Sequence, residues 1–324
     1  MRILLTGSSG WLGIHLAPRL MQLGHAVTGL DVARGEYTHI VGSVADRSLV
    51  DKVFADHSIE AVIHAGALHK PDIVRYPAQA FVDVNVTGTL NLLEAAARAG
   101  HDRFIFTSTT SLMISDQVRV GKSGGAAEAF WLDENFGPLK PRNIYGVTKL
   151  AAEHLCRLYS AMHGLDVAIL RTGRFFPEDD DTLEQPSGPN LKANEFLNRR
   201  LTVEDAADAH IAALDKIGGL GCETFLLSAP PPFDRSEATE LMRDAPAIIA
   251  RKFPRVEEIY RQRGWVLPET IERVYDPAKA ERLLDFRCKT DFAAILSALA
   301  DGTPLPFQHD PSYVSPKESL GALC

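Results

Sequence analysis

Few cysteines, no long apolar run and no excess of positive charge characterise this 324-residue sequence. The four cysteines are far apart and form no C-x-x-C pair, so they indicate reduced thiols rather than a zinc site or a disulfide framework. No apolar run is long enough to span a bilayer, and a net charge of −8 disfavours a nucleic-acid surface. The first predicted strand begins at Arg2, so we expect no signal peptide. These absences predict a cytoplasmic protein with no membrane or nucleic-acid partner.

Strand-like and helix-like segments, by contrast, alternate regularly through the first 228 residues. This alternation predicts an α/β fold with a doubly wound parallel sheet. Three consecutive prolines, Pro230-Pro231-Pro232, end the pattern, and short helices and an irregular tail are expected beyond them. We assign residues 1–172 and 202–228 to the main domain, and residues 173–201 and 229–324 to a small C-terminal lobe. The strands are predicted at residues 2–6, 26–31, 38–41, 61–65, 103–108, 166–171 and 224–228.

The first thirteen residues combine a short apolar strand with three glycines spaced as G-x-x-G-x-x-G. Gly7 would make the tight turn, Gly10 would let a pyrophosphate approach the backbone, and Gly13 would let helix and strand pack closely. The turn also aims a helix N-terminus at one point, which suits a negatively charged dinucleotide. Asp31 follows at the end of the second predicted strand. The arrangement predicts a Rossmann-type dinucleotide-binding site.

Two acidic residues after predicted strands bear on the choice of cofactor. The Asp31 carboxylate can accept hydrogen bonds from the adenosine ribose and would repel a 2′-phosphate, which favours NAD over NADP. A solvated loop aspartate is the alternative, and Arg34 could soften the preference. Asp46 has two interpretations, a contact to the adenine amino group and the N-cap of the next helix.

Tyr145 and Lys149 form a Y-x-x-x-K pattern, in which both side chains share one face of a helix. A phenol with a pKa of about 10 is a poor base at neutral pH, but a nearby ammonium and an oxidised nicotinamide would both favour the phenolate. Tyr145 could then take the proton of a substrate hydroxyl while a hydride leaves for the nicotinamide. An exposed helix face is the alternative, and the glycine-rich turn upstream favours the catalytic interpretation.

These motifs together resemble the extended short-chain dehydrogenase/reductases, in particular the NAD-dependent epimerase/dehydratase group. The matching segments occur in the family's order at residues 6–13, 31, 64–67, 85–89, 106–109, 145–149 and 203–207. The resemblance implies NAD as the cofactor and a Rossmann-type sheet with a small C-terminal substrate lobe. It assigns cofactor contacts to Gly7, Ser9, Gly10, Trp11, Leu12, Gly13, Asp31, Asp46, Ala65, Gly66, Ala67, Asn85, Tyr145, Lys149 and Thr172.

The same resemblance assigns catalytic roles. Thr109 aligns with the hydroxyl that binds the reacting oxygen and orients it toward Tyr145, with Ser108, Thr110 and Ser111 as alternatives. Lys149 would hold the nicotinamide ribose and support the phenolate. Asn85 would brace the helix near the nicotinamide, and His64 is expected to have a structural role.

Departures from the family's pattern concern the substrate. Dehydratases of the group carry an Asp-Glu pair after the catalytic threonine, whereas this chain has Thr110 and Ser111, so dehydration lacks its acid and base. Sugar-nucleotide members carry an asparagine where this chain has Arg174, and the stretch from there to Thr202 is short. The local sequence resembles uronate dehydrogenases, whose arginine faces the sugar acid, as a bidentate guanidinium can. An ion pair of Arg174 with the acidic run 179–181 is the alternative.

The sequence therefore predicts an NAD-dependent oxidoreductase or epimerase that acts on a secondary hydroxyl of a sugar or sugar derivative. A net dehydrogenase of an aldose or uronic acid shares the same half-reaction, and a non-catalytic NAD-sensing regulator is an alternative of another class. Substrate contacts are predicted at Lys70, Thr109, Thr110 and Arg174.

Three further predictions concern metals, mobility and assembly. No metal is expected, because an acidic run such as 179–181 is typical of a solvated loop. Residues 113–142 are predicted to form a flap or insertion over the substrate. The apolar faces of the helices near Gln79 and Asn143 resemble those that pair in the family's dimers, so a homodimer is expected, and simple core packing is the alternative explanation of these faces.

Overall fold

The computed structural model describes residues 1–100, 103–179, 186 and 188–320, except for the side chains of residues 122, 319 and 320. Its main sheet contains β1 (Arg2–Thr6), β2 (Ala26–Asp31), β3 (Ile40–Val41), β4 (Ala61–His64), β5 (Arg103–Thr109), β7 (Asp166–Thr172) and β8 (Cys222–Leu227). A second, two-stranded sheet contains β6 (Phe130–Leu132) and β9 (Arg273–Tyr275). All strand pairs in both sheets are parallel.

The helices of the main domain flank this sheet, and shorter helices follow in the C-terminal part. Those of the main domain are α1 (Trp11–Gln22), α2 (Arg47–His57), α3 (Ala78–Phe81), α4 (Gly88–Ala99), α5 (Asp116–Val120), α6 (Ile144–His163) and α8 (Val203–Lys216). The others are α7 (Gly188–Glu195), α9 (Ala238–Leu241), α10 (Ala245–Lys252), α11 (Val256–Gln262), α12 (Ala278–Leu284) and α13 (Phe292–Asp301). No helix in the described ranges is long and apolar enough to cross a bilayer.

Apolar side chains alternate between the two faces of the main sheet, as the pleat of a strand requires. In β1, Ile3 and Leu5 pack in one core with α1 and α8, whereas Leu4 packs in the opposite core with α2, α4 and α6. The other central strands divide in the same way, with Ile105 on the first face and Phe104 on the second. Because both faces are buried, the strands are apolar at nearly every position, and the prediction of a doubly wound α/β fold is confirmed.

The strand order β3-β2-β1-β4-β5-β7-β8 reverses between β1 and β4. A crevice opens outside the carboxyl ends of parallel strands at such a reversal, and ligands of open α/β sheets bind there. The glycine-rich turn of residues 7–13 follows β1 and lies at this point. The topology therefore positions the candidate site before any side chain is considered.

The C-terminal part has its own apolar core, to which the segment before α6 is attached. Phe196, Ile248 and Val274 belong to this core, and it also includes Ala129 from the segment predicted as a flap. That segment is anchored by the pairing of β6 with β9 and contains a helix, α5. Strands of three residues give too short a pattern to be recognised in the sequence, and neither β6 nor β9 was predicted.

Replacing Gly13 by alanine should destabilise the fold. A Cβ there would lie 2.2 Å from the carbonyl oxygen of Gly7 and 2.7 Å from Cα of Ser8, so helix and strand would have to separate. We expect a loss of roughly 1–3 kcal/mol in the free energy of unfolding, measured by urea denaturation. Gly10→Ala is the matched control, since its Cβ meets only the Gly7 oxygen at 3.3 Å, and its stability should stay within about 1 kcal/mol of the wild type. Equal losses in the two variants would contradict this account.

Candidate active site

The glycine turn is built around backbone contacts that exclude side chains. Gly7 has a φ of +75°, and its N–H donates to the carbonyl of Leu30 at 2.9 Å. A Cβ on Gly7 would lie 2.7 Å from the nitrogen of Gly66, so the turns after β1 and β4 approach each other as closely as backbones can. Helix α1 starts at Trp11 with no acidic residue in its first turn and no side-chain cap, so its N-terminus suits an anionic ligand.

Asp31 links the end of β2 to the glycine turn. Its Oδ2 accepts a hydrogen bond from the N–H of Ser9 at 3.0 Å, and its Oδ1 accepts one from Ala33 at 3.0 Å. The carboxylate is thus held beside the turn, where the predicted ribose contact requires it. Asp46 forms the N-cap of α2 through the N–H of Leu49 at 3.1 Å, which was one of its two interpretations, and its contact to adenine stays a prediction.

A buried hydrogen-bond chain holds the turn after β4. The two ring nitrogens of His64 lie 2.7 Å from the Thr6 hydroxyl and 3.0 Å from the Thr89 hydroxyl. Burial lowers the pKa of His64 well below its usual value, so the ring is neutral and structural, as predicted. Thr6 also accepts the N–H of Gly66 at 3.0 Å, and this bond fixes the segment of Ala65 to Ala67 at the carboxyl edge of the sheet.

Asn85 lies in a π-helical turn, Val82–Thr87, between α3 and α4. Its Oδ1 accepts the N–H of Leu68 at 2.9 Å, and its Nδ2 donates to the Leu68 carbonyl at 3.0 Å and to the Thr148 hydroxyl at 3.1 Å. A π-turn often marks a functional site, because it reorients one side chain within a helix. Here it lets one amide connect the turn after β4 to the helix turn that carries the predicted catalytic pair.

Tyr145, Lys149 and Thr109 meet at the carboxyl end of β5. Thr109 is the last residue of the strand, and its side chain is hydrogen-bonded to that of Tyr145. Asn143 caps α6 by accepting the N–H of Gly146 at 2.9 Å, so the catalytic turn of the helix is fixed at its start. Tyr145 is 7% exposed and Lys149 is 3% exposed, and the alternative of an exposed helix face is wrong for this pair.

Burial away from water is the main influence on the protonation of Tyr145 and Lys149. Burial raises the pKa of Tyr145 to about 12, against a lowering by the hydrogen bond from Thr109, and Asp72 raises it further. Burial also lowers the pKa of Lys149 to about 7, although Cys156 and Glu153 oppose this change. The expected lowering of the tyrosine pKa by the ammonium therefore does not occur in the protein alone. Oxidised NAD, when bound, supplies a hydride acceptor and a positive charge that favours the phenolate.

A buried ion pair that the sequence analysis missed lies beneath the catalytic turn. Glu153, one helical turn after Lys149, accepts from Nε and Nη2 of Arg171 at 3.0 and 2.8 Å. The Ser108 hydroxyl donates to the same carboxylate at 2.7 Å, and Arg157 donates at 3.1 Å. An acidic residue on the apolar face of α6 and an arginine inside an apolar strand were the available signals.

Arg174 lies beside an acidic residue that the sequence analysis did not consider. Its Nη1 lies 3.9 Å from Glu195, whose carboxylate also pairs with Arg199 at 3.0 Å and Arg200 at 2.7 Å. Burial alone would raise the pKa of Glu195, but the three arginines lower it to about 2. Residues 180 and 181 of the acidic run lie outside the described residues. The carboxylate of Glu178 also interacts electrostatically with Arg174 and Arg200, so these guanidinium groups face at least two carboxylates.

This arginine cluster, Arg174, Arg199 and Arg200, borders the catalytic group. Arg200 donates to the carbonyl of Phe176, whose ring lies 5.7 Å from that of His69. The His69 ring in turn lies 5.8 Å from the Tyr145 ring, so a short aromatic chain separates the two groups. Arg174 is 32% exposed and Arg199 is 22% exposed, so both retain a face that a ligand can reach.

The remaining predicted residues lie at the same edge of the sheet. Thr172 donates to the Ser108 carbonyl at 3.1 Å and accepts, through its own carbonyl, the Thr110 hydroxyl at 3.3 Å. Lys70 begins a short 3-10 helix, Lys70–Val74, in the turn after β4. Within the described part of the chain, no group of three potential metal ligands occurs.

The fold and this site define a Rossmann-type enzyme whose candidate catalytic groups are a tyrosine, a lysine and a threonine. The sequence model of the NAD dependent epimerase/dehydratase family matches residues 3–188, and the chain belongs to that family. The protein is therefore an NAD-dependent enzyme of the extended short-chain dehydrogenase/reductase type, and the family resemblance and the cofactor predicted from the sequence are confirmed.

Characterised relatives include epimerases and a dehydrogenase. UDP-glucose 4-epimerase of Bacillus subtilis is 27% identical over 89% of this chain and 93% of its own length. L-arabinose 1-dehydrogenase of Haloferax volcanii is 31% identical over 55% of this chain and 69% of its own length.

Solved structures share the fold at low identity. UDP-glucose 4-epimerase of Thermotoga maritima has a TM-score of 0.65 and 20% identity, over 93% of this chain and 98% of its own. A mutated uronate dehydrogenase has a TM-score of 0.60 and 20% identity, over 98% of this chain and 96% of its own.

Replacing Lys149 by methionine should raise stability while abolishing turnover. The pKa of Lys149 is about 7 in the folded protein and 10.5 in the unfolded chain, so between these values the unfolded chain binds a proton that the folded protein does not. Burial of Lys149 therefore lowers the free energy of unfolding by its full amount below pH 7. This destabilisation decreases as the pH rises and disappears near pH 10.5. The Tm gain of Lys149→Met should be largest at pH 7 and below, at roughly 1–2 °C for each kcal/mol in a chain of this length.

Lys216→Met, at the exposed end of α8, is the matched control and should show no such dependence on pH. Scanning calorimetry between pH 6 and pH 10.5 measures both variants. A gain for Lys149→Met that is constant over this range would show that the lysine is not buried in a neutral form.

Proposed function

We propose that the protein is an NAD-dependent epimerase or oxidoreductase that acts on a secondary hydroxyl of a sugar or sugar derivative, with Tyr145 as the base. The observation that carries this proposal is the hydrogen bond between Thr109 and Tyr145, with Lys149 one helical turn further on. Two hydroxyls that meet in a water-poor pocket can bind one substrate oxygen between them.

In this reaction Thr109 donates a hydrogen bond to the reacting oxygen and directs it toward Tyr145. The tyrosine Oη takes the hydroxyl proton while the hydrogen on the same carbon leaves as a hydride, so the carbon becomes a carbonyl. An epimerase returns the hydride to the opposite face and Tyr145 returns the proton. Lys149 favours the phenolate when protonated, and Glu153, one turn below, supports its charge.

The cofactor contacts follow from the carboxyl edge of the sheet. Backbone N–H groups of Trp11, Leu12 and Gly13 at the start of α1 would receive the diphosphate. Ser9 and Gly10 would lie beside it, because their N–H groups already donate to Asp31 and Gly7, and Asp31 would receive the adenosine ribose. The segment of Ala65 to Ala67 would lie along the phosphates and ribose, since its small side chains permit close approach. The C-terminal lobe would take the substrate.

A second candidate function is net oxidation of an aldose or uronic acid with release of NADH. The arginine cluster supports it, because the partly exposed guanidinium groups of Arg174 and Arg199 are of the type that binds a substrate carboxylate. The similarity to L-arabinose 1-dehydrogenase supports a free sugar. A silent NAD-sensing regulator is less well supported, because the tyrosine, lysine and threonine are all present and organised.

We also propose a homodimer that pairs through α6. Val147, Leu158 and Met162 are exposed apolar residues on one face of this helix. An apolar helix face is stabilised when a partner covers it. Sedimentation of the wild type and of Leu158→Glu tests this, and a wild type that sediments as a monomer would rule it out.

Absorbance of NADH separates the two catalytic functions. The enzyme is mixed with NAD and a panel of free sugars, uronic acids and sugar nucleotides, and the products are examined for new sugar isomers. A new isomer without net NADH is expected for the epimerase. Accumulation of NADH with one substrate would instead establish the dehydrogenase and its substrate class. Tight NADH binding without turnover of any substrate would favour the regulator.

Tyr145→Phe should bind NAD normally and lose about 10²–10⁴-fold in turnover, because only the proton-transfer group is removed. Tyr159→Phe is the matched control, since Tyr159 lies on the same helix and hydrogen-bonds Glu94 rather than a predicted catalytic residue. Calorimetric titration measures NAD binding, and the assay above measures turnover. Unchanged turnover in Tyr145→Phe would remove the tyrosine from the proposed role.

A further inference from the structure

The last described part of the chain, residues 307–318, leaves the C-terminal core and crosses the carboxyl edge of the main sheet. We call this segment the C-terminal strap. It is anchored at its start by Phe307, whose ring stacks on that of Phe196 with centroids 5.5 Å apart. It continues beside the segment after β7, where the N–H of Asp310 donates to the Pro177 carbonyl at 2.9 Å.

The strap next contacts the glycine turn. The Tyr313 ring packs edge-on against Trp11 with centroids 5.0 Å apart, and Trp11 is the first residue of α1. Burial, together with the nearby carboxylates of Glu178, Glu318 and Asp31, raises the pKa of Tyr313 to about 12. The indole N–H of Trp11 is buried and has no hydrogen-bond partner among the described residues, so the covered space contains a donor without an acceptor.

The strap then reaches the turn after β4. Nζ of Lys317 donates to the Ala67 carbonyl at 3.2 Å and to Oδ2 of Asp72 at 2.5 Å. Glu318 pairs with Arg75 at 2.8 Å and completes the attachment. Two turns that lie on opposite sides of the strand-order reversal are therefore bridged by one segment from the far end of the chain.

We propose that the strap covers bound NAD and that Lys317 is a cofactor-binding residue, its ammonium contacting the diphosphate. A dinucleotide lies across the crevice between the turns after β1 and β4, so a segment that runs from Trp11 to Ala67 passes over its middle. An ammonium has three N–H donors, and the contacts to Ala67 and Asp72 use two of them. The Lys317 side chain is 15% exposed, so its charge is little screened by water.

The proposal rests on the cofactor site described under the proposed function, and it adds a consequence for release. A segment attached at both turns must detach at one of them before NAD can leave. Slow release suits an epimerase, which needs the same cofactor for both half-reactions.

Calorimetric titration of the cofactor-free protein tests the role of Lys317. The ligands are NAD, ADP-ribose, which keeps the diphosphate, and adenosine, which has no phosphate. In Lys317→Gln we expect the Kd of NAD and of ADP-ribose to rise about 10- to 100-fold, as for loss of a hydrogen bond to a charged group. The Kd of adenosine should not change, and Lys317→Arg should retain most of the affinity for the diphosphate ligands.

Glu318→Gln is the matched control, because it removes the other ion pair of the strap and leaves the ammonium in place. Its affinity for NAD should stay near that of the wild type. Equal weakening in Glu318→Gln and Lys317→Gln, or weakening of adenosine as well, would show that docking of the strap matters rather than the charge, and would overturn the proposal. An unchanged Lys317→Gln would overturn it too. A wild type that binds no NAD would instead remove the proposed cofactor site itself.

Discussion

The ion pair between Glu153 and Arg171 fixes the catalytic helix on the ends of two strands, and the geometry of the site depends on it. Arg171 precedes Thr172 in β7, and Ser108, which also bonds Glu153, precedes Thr109 in β5. One carboxylate thus connects α6 to both strands. A buried charge is tolerated only when its partners satisfy it, so removal of either residue would leave an expensive unpaired ion. The pair therefore stabilises one position of α6, and with it the contact between Thr109 and Tyr145.

The burial of Tyr145 and Lys149 also disfavours the charged form of each side chain. Without water, Tyr145 keeps its proton and Lys149 is close to losing its own. At pH 7 Tyr145 is therefore neutral and Lys149 is about half protonated, and oxidised NAD would bring a further positive charge. In the proposed mechanism, proton transfer to Tyr145 would therefore depend on occupancy of the cofactor site, because the positive charge of oxidised NAD favours the phenolate.

Local features of the chain could be predicted from the sequence, and long-range ones could not. The glycine turn, the N-cap at Asp46 and the Y-x-x-x-K pair depend on residues a few positions apart, so a spacing rule identifies them. Glu195, which lies beside Arg174, is 21 positions away from it in the sequence, and three basic residues share this carboxylate. The contact of Lys317 with Asp72 joins residues 245 positions apart. No periodicity encodes such contacts, and neither residue has an unusual local sequence.

The C-terminal part of the chain contributes to two sides of one crevice. The apolar core of this part includes Phe307, at the start of the strap. The same core includes Phe196, which precedes Arg199 and Arg200 in the chain. Phe196 lies next to Glu195, the carboxylate that orders the arginine cluster, and it also stacks on Phe307 at the start of the strap. A shift of this core would move the arginines and the strap together. The proposed substrate contacts and the proposed cofactor cover are therefore connected through one aromatic pair, although the residues involved are more than one hundred positions apart.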